Sequence, residues 1–139
     1  MYRAELSLDG ETYGVITCEY VLSQKTDDMG RPEGMVRSGL IEIVVLGTDE
    51  EILAHWAADS AKQMDGTLTF YLLNEDTVFK EVKFEGGYCI TYREYFLPLG
   101  NQTTAIRSPT GLTSYCLEIA ISAAKVTVDG MTHDNGWPG

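Results

Sequence analysis

The sequence predicts a mainly β fold, an antiparallel sandwich or two-sheet barrel with one accessory helix, and three observations carry that prediction. Hydropathy alternates with a period of two through most of the chain. Turn dipeptides such as Asp9-Gly10 and Asp129-Gly130 punctuate the alternating runs. A helical period is confined to one stretch, about residues 48–62.

The elements follow in order. Tyr2, Ala4, Leu6 and Leu8 alternate with Arg3, Glu5 and Ser7, the pattern of a half-buried strand. Asp9-Gly10 reads as a hairpin turn, and the next strand sets Ile16, Cys18, Tyr20 and Leu22 against Thr17 and Glu19. The segment from Lys25 to Gly34 is all turn formers and charge, with no apolar period. It is long for a hairpin connection, where about 2–5 residues are usual, and long loops in compact domains tend to carry function. A strand from Met35 to Leu46 follows, with Ile41, Ile43 and Val45 on one face.

Thr48 to Glu51 has the spacing of a capping box, in which Thr48 accepts from a first-turn amide and Glu51 reaches back. Ile52, Leu53, Trp56 and Ala57 then recur at helical spacing, with Asp49, Glu50 and Glu51 at the positive end of the helix dipole. The helix is expected to end near Lys62, before Asp65-Gly66. Leu68, Phe70 and Leu72 mark a strand, and Asn74 to Thr77 a turn. Strands are then expected from Val78 to Glu85 and from Tyr88 to Leu97, with Gly86-Gly87 turning the chain between them. Pro98 to Gly111 reads as irregular. Leu112 to Ala124 reads as a strand, with Tyr115, Leu117, Ile119 and Ile121 in register, followed by Lys125 to Val128 and a short tail at 129–139. The total is roughly seven to nine strands and one helix.

Composition bounds the rest. The 139 residues suit one domain, 1–139, at about 100–200 residues per domain. Ten Lys and Arg against 21 Asp and Glu leave a formal net charge of −11. That excludes nucleic acid as a dominant partner, because counterion release needs clustered basic residues. It equally disfavours an anionic membrane surface, and no run approaches the ~20 apolar residues of a membrane span. The N-terminal residues alternate instead of forming the roughly 7–15-residue apolar core of a signal peptide, so synthesis into the cytoplasm is expected.

Catalytic and metal-binding patterns do not emerge. The three cysteines, Cys18, Cys89 and Cys116, are odd in number, lack CxxC spacing and sit in strand-like runs, so they read as core fillers. His55 lies four positions from Glu51 and Asp59, the spacing of an exposed helix pair, and His133 has no second histidine at zinc-motif spacing. There is no P-loop, dinucleotide fingerprint or Gly-x-Ser-x-Gly elbow. Asp27 and Asp28 read as solvated charge. No enzyme activity, cofactor or metal is expected. Tyr88, Tyr92 and Phe96 are expected on one strand face, with Cys89, Arg93 and Tyr95 on the other. Packing accounts for that strip; the competing function is a carbohydrate- or ligand-binding β-sandwich with an aromatic platform.

Several stretches together resemble the haemolysin-coregulated protein family, the inner-tube proteins of bacterial type VI secretion systems, in a small acidic branch. The opening Ala4 to Tyr13 resembles its first hairpin. Cys18 to Asp27, Gly30-Arg-Pro32 and Val36 to Gly39 resemble its second strand, extended loop and third strand. Thr48-Asp49, Trp56 and Lys62 fit its helix, and Gly66 with Phe70-Tyr71 the strand after it. Lys80 to Glu85, Tyr88-Cys89 and Tyr92 fit the next hairpin, and His133 to Pro138 its ending. The stretch Pro98 to Gly111 departs from the pattern by its length.

The resemblance implies a two-sheet barrel with a helix at its side, forming homohexameric rings that stack into a tube. A contractile sheath would expel that tube, with spike and baseplate components as further partners and effector proteins in the lumen. Export would then proceed through the apparatus, from the bacterial cytoplasm to the exterior, without a signal peptide. The resemblance assigns Lys25, Thr26, Asp27, Asp28, Gly30, Arg31 and Pro32 to the extended loop that contacts neighbouring rings. A phage-like tail-tube protein would share the architecture. With −11 per subunit, carboxylates cannot crowd the seams unpaired, and net charge alone predicts rings that strengthen with salt.

Overall fold

The computed structural model describes residues 2–26, 29, 32–48, 51–72, 77–96, 106–108, 111–113, 115–129 and 131–134. Its strands are β1 (Tyr2–Leu8), β2 (Glu11–Thr26), β3 (Pro32–Leu46), β4 (Met64–Leu72), β5 (Val78–Phe96), β6 (Ile106–Ser108), β7 (Gly111–Thr113), β8 (Tyr115–Ser122), β9 (Lys125–Val128) and β10 (Met131–Asp134), with one helix, α1 (Ile52–Ala58). Eight strands form one antiparallel sheet in the order β10-β9-β5-β4-β1-β2-β3-β8, and β5 also pairs with β8. That last pairing closes the sheet on itself. The expected two-sheet barrel is thus one continuous closed sheet, with β6 and β7 as a separate hairpin.

Alternation decides what lies inside. Leu6 and Leu8 of β1, Ile41, Ile43 and Val45 of β3, and Leu117, Ile119 and Ile121 of β8 are buried in one cluster. Each side chain of this kind contributes about 1.5–3 kcal/mol on burial. Asp9-Gly10 makes the expected turn: φ is +49° at Asp9 and +80° at Gly10, the doubly left-handed backbone that matches the twist of a two-residue hairpin.

Four expectations are corrected. First, Gly86-Gly87 is not a turn, because β5 runs unbroken from Val78 to Phe96. The glycine pair marks a change of neighbour. Up to Gly87, β5 pairs with β4; from Tyr88 onward it pairs with β8, while Val82 to Glu85 pair with β9. Gly86, at φ +62°, donates its N–H to Asp65 Oδ1 at 2.8 Å. No side chain fits at Gly87, where a Cβ would stand 2.9 Å from Ile121 Cγ2.

Second, the helix is shorter than the 48–62 expected. Glu51 is its N-cap, with no side-chain capping bond, and its carboxylate instead lies 3.4 Å from His55 Nε2 one turn on. The exposed His55–Glu51 pair is the one the spacing implied. Asp49 and Glu50 lie outside the described residues. The helix stops at Asp59, whose Oδ1 accepts from Ala61 N at 3.0 Å, a local bond that competes with further helical turns. Trp56, fully buried, then ties the segment down: its Nε1 donates to Lys62 O at 3.2 Å and to Gly87 O at 3.0 Å.

Third, the tail expected from residue 129 contains β10, paired with β9 from Met131↔Val128 to Asp134↔Lys125. Fourth, the stretches read as Pro98 to Gly111 and Leu112 to Ala124 hold the β6–β7 hairpin, and the long strand is replaced by β7 and β8, while β9 spans Lys125–Val128 as expected.

Candidate functional site

The feature that sets this barrel apart is what its strands leave unpaired. β1 covers β2 only from Glu11 to Val15, whereas β3 pairs with β2 from Val15 to Thr26. Among the described residues, one edge of β2 from Thr17 onward therefore has no ladder partner. The β4 ladder on β5 ends at Gly87, so the corresponding edge of β5 from Tyr88 to Phe96 is open as well. Between these two edges lies a four-strand face, β2–β3–β8–β5, antiparallel at every step. An even number of antiparallel strands leaves the two edges running in opposite senses. Open edges with unpaired N–H and C=O groups are templates for pairing with another chain.

β2 and β3 also extend beyond the barrel as a paired arm, with Leu22↔Ser38, Lys25↔Glu33 and Thr26↔Pro32 in register. The loop expected at 25–34 is shorter than that: Lys25, Thr26 and Pro32 belong to the strands of the arm. Asp27, Asp28, Gly30 and Arg31 lie outside the described residues, and Met29 between them is 78% exposed.

The outward side of the four-strand face carries charged side chains at both of its edges. Cys18, Tyr20 and Tyr92 pack against the core, and alternation turns Glu19 and Arg93 outward. Glu19 of β2 stands directly opposite Glu42 of β3, and both are exposed. Like charges in that position repel. Among the described residues neither carboxylate has a cationic partner. At the other edge Arg93 lies opposite Glu118, at 3.9 Å, and donates from Nη1 to the Tyr95 hydroxyl at 2.6 Å. Tyr95 donates in turn to Glu118 Oε2 at 2.5 Å, a bond that pushes the phenol pKa up by holding its proton against the carboxylate. A shallow hollow of about 200 Å³ runs past Thr17, Glu19, Glu42, Val44 and Glu118.

The expected aromatic strip is not assembled. The register shifts between Cys89 and Thr91, a bulge that reverses the alternation. Cys89 and Tyr92, expected on opposite faces, both pack against the core, while Tyr95 engages Arg93 and Glu118. Tyr92 donates to Glu94 Oε1 at 2.6 Å, and Phe96 stacks on Tyr115 with centroids 4.6 Å apart. Sequence reasoning missed the bulge; an exposed Ile90 in an otherwise alternating run is its only trace.

The cysteines are free thiols packed in or against the core, and burial pushes Cys18 and Cys89 up to about 11. Among the described residues no group of three or more His, Cys, Asp or Glu is arranged to hold a metal. No helix is long and apolar enough to cross a membrane.

A closed barrel carrying an arm and two open, oppositely directed sheet edges belongs to the class of self-assembling structural subunits. Comparison with known proteins gives the family. The family model for hemolysin coregulated protein (Hcp, TssD) matches residues 1–138, and the chain belongs to that family. Its role is that of a tube subunit. The solved structure of Hcp1 from Flavobacterium johnsoniae is 30% identical, with a TM-score of 0.76, covering 96% of this chain and 99% of that one. Hcp1 from Salmonella typhimurium shares the fold at 11% identity and TM-score 0.67, over 92% of this chain and 86% of that one. A chain of the PVC sheath-tube complex, from an extracellular contractile injection system, shares it at 13% identity and TM-score 0.51, over 93% and 89% of the two chains. Among curated proteins no sequence match was found.

Proposed function

We propose that six copies of this chain close into a ring, edge to edge, and that rings stack head to tail into the inner tube of a type VI secretion apparatus. The observation that carries this reading is the four-strand face with its two free edges. A rotation brings the β5 edge of one copy against the β2 edge of the next, and their opposite senses continue the antiparallel pattern through the seam. The backbone groups left open in one subunit then pair in the ring.

The arm serves the second contact. Lys25, Thr26 and Pro32 sit at its outer end, and with Asp27, Asp28, Gly30 and Arg31 they form the segment that meets the adjacent ring. On this reading a contractile sheath surrounds the tube, as the likeness to a chain of a sheath-tube complex supports, with spike and baseplate components at its end and effector proteins in the lumen as further partners. The chain would be made in the bacterial cytoplasm and leave through the apparatus without a signal peptide.

Two measurements test the reading. Native mass spectrometry and light scattering are expected to give six-subunit particles, and a strict monomer at every concentration would refute the ring. Deletion of residues 26–31 is expected to abolish stacking of rings into tubes, seen by electron microscopy, while stability stays within about 1 kcal/mol, because the segment has no apolar period and its one large apolar residue, Met29, is exposed. Normal stacking and secretion by the deletion variant would refute the role given to the loop.

A further inference from the structure

The geometry points to a charge pair at the subunit seam that neither copy completes alone: Arg93 on the β5 edge of one copy against Glu19 on the β2 edge of the next, with Glu42 beside it in β3. The inference rests on the edge-to-edge ring proposed above and names the side chains that hold it.

Three observations converge. Glu19 is on an open edge and faces Glu42 across the ladder, two carboxylates in direct opposition with no cation at either among the described residues. Such an arrangement destabilises an isolated sheet, so it asks for a positive charge from outside. Arg93 is on the other open edge of the same four-strand face, and its side chain is 62% exposed. It is also held in place. Nη1 is bonded to the Tyr95 hydroxyl, the guanidinium lies 5.3 Å from the Tyr95 ring centroid, and Glu118 stands behind it. A guanidinium has five N–H donors in a planar fork; the hydrogen bond to Tyr95 engages Nη1, and the exposed remainder of the fork faces outward for a carboxylate.

Glu19 and Arg93 point to the same side of the sheet. Arg93 shares its cross-strand row with Glu118, Val44 and Thr17, so that row, continued straight through the seam, sets Arg93 of one copy opposite Thr17 of the next and one diagonal step from Glu19. Directly opposed side chains lie about 4.5–5.5 Å apart at Cβ and diagonal ones about 7–8 Å, both within the reach of an arginine. Glu42 lies next to Glu19 in the adjoining strand, so one guanidinium meets both carboxylates. The seam then relieves a repulsion present in each free subunit. This reverses the salt dependence that net charge alone implies: attractive pairs at the seam weaken as salt screens them.

The test uses the full chain with native mass spectrometry and light scattering as the readout of rings, and urea unfolding of the dissociated protein as the readout of fold. Arg93→Glu and Glu19→Arg, each alone, are expected to raise the concentration for half-assembly about tenfold or more. The charge-reversed double variant, Arg93→Glu with Glu19→Arg, is expected to recover most of that loss. Glu19→Gln gives a sharper discrimination. It is expected to weaken the ring while leaving the urea midpoint of the subunit unchanged or higher, because it removes the repulsion from Glu42. A general structural role for Glu19 would move both measurements downward together, and that result overturns the inference. Wild-type rings are expected to weaken between low and high salt, and the Arg93→Ala, Glu19→Gln double variant to lose that dependence. Rings that form equally well in both single charge reversals overturn the seam pair and leave the edge-to-edge ring standing. A wild-type chain that never forms rings overturns both.

Discussion

Trp56 joins the helix to the point where β5 leaves β4, and replacing it separates two contributions that its burial combines. Its indole is fully buried and stacks on Phe84, with ring centroids 6.3 Å apart and planes inclined by 4°. Its Nε1–H is shared between Lys62 O and Gly87 O. Trp56→Ala removes the ring and leaves a cavity, at a cost of about 3–5 kcal/mol. Trp56→Phe keeps most of the apolar contact with Phe84 and removes only the donor and part of the bulk. The Gly87 carbonyl then loses a partner in a buried setting, which costs about 1–3 kcal/mol. At about 4 °C per kcal/mol for a domain of this size, Trp56→Phe is expected to lower Tm by roughly 4–12 °C. Far-UV circular dichroism of the dissociated protein, with urea unfolding alongside, measures both variants. If Trp56→Phe unfolds within about 0.5 kcal/mol of wild type while Trp56→Ala pays its full cost, the indole acts as bulk alone and the hydrogen-bond argument fails.

Two further predictions concern close packing and thiol chemistry. Gly66→Ala would set a Cβ 2.5 Å from Phe84 Cζ and 3.0 Å from the Ser7 carbonyl, so it is expected to cost about 1–3 kcal/mol by urea unfolding; an unchanged midpoint would refute the fit. Cys18 and Cys89 are pushed up to about 11 by burial, from the ordinary 9.0, so alkylation of the native protein is expected to stay slow at pH 8 and to accelerate toward pH 11. The same shifts make the unfolded chain lose these protons first as pH rises, so they withdraw stability between about pH 9 and 11. The Cys18→Ala, Cys89→Ala variant should lose less stability than wild type across that window, and equal losses would refute the assignment.

Particular elements mark how far the sequence could be read. Asp9-Gly10 was legible because a two-residue turn with both φ angles positive admits few residue pairs, and the chemistry is local. The core faces of β1, β3 and β8 were legible because alternation is itself the burial pattern. Gly86-Gly87 misled because glycine marks both tight turns and close approaches, and here the approach is to Ile121 and Ala124, residues distant in sequence. The capping-box spacing misled in the same way: Glu51 reaches forward to His55, and Trp56 decides where the segment is tied. The aromatic strip failed at a single bulged residue, since one insertion in a period-two element exchanges its faces.

Of the assembly surface, the sequence displayed the charge and the polar loop but neither the paired arm that carries it nor the edges. Composition and alternation determined that the chain is an acidic, mainly β protein, which residues are inward, and that a polar stretch separates β2 from β3. Only the tertiary structure decided that the sheet closes through β5 and β8, and that the ladders on β2 and β5 stop short. The physical reason lies in the backbone. Every residue but proline carries the same donor and acceptor, so a strand's partner is chosen by the packing of the whole sheet rather than by anything its own residues spell. Where that packing leaves a row of these groups open, and sets Glu19 on one such row and Arg93 on the other, the molecule acquires a direction in which to assemble.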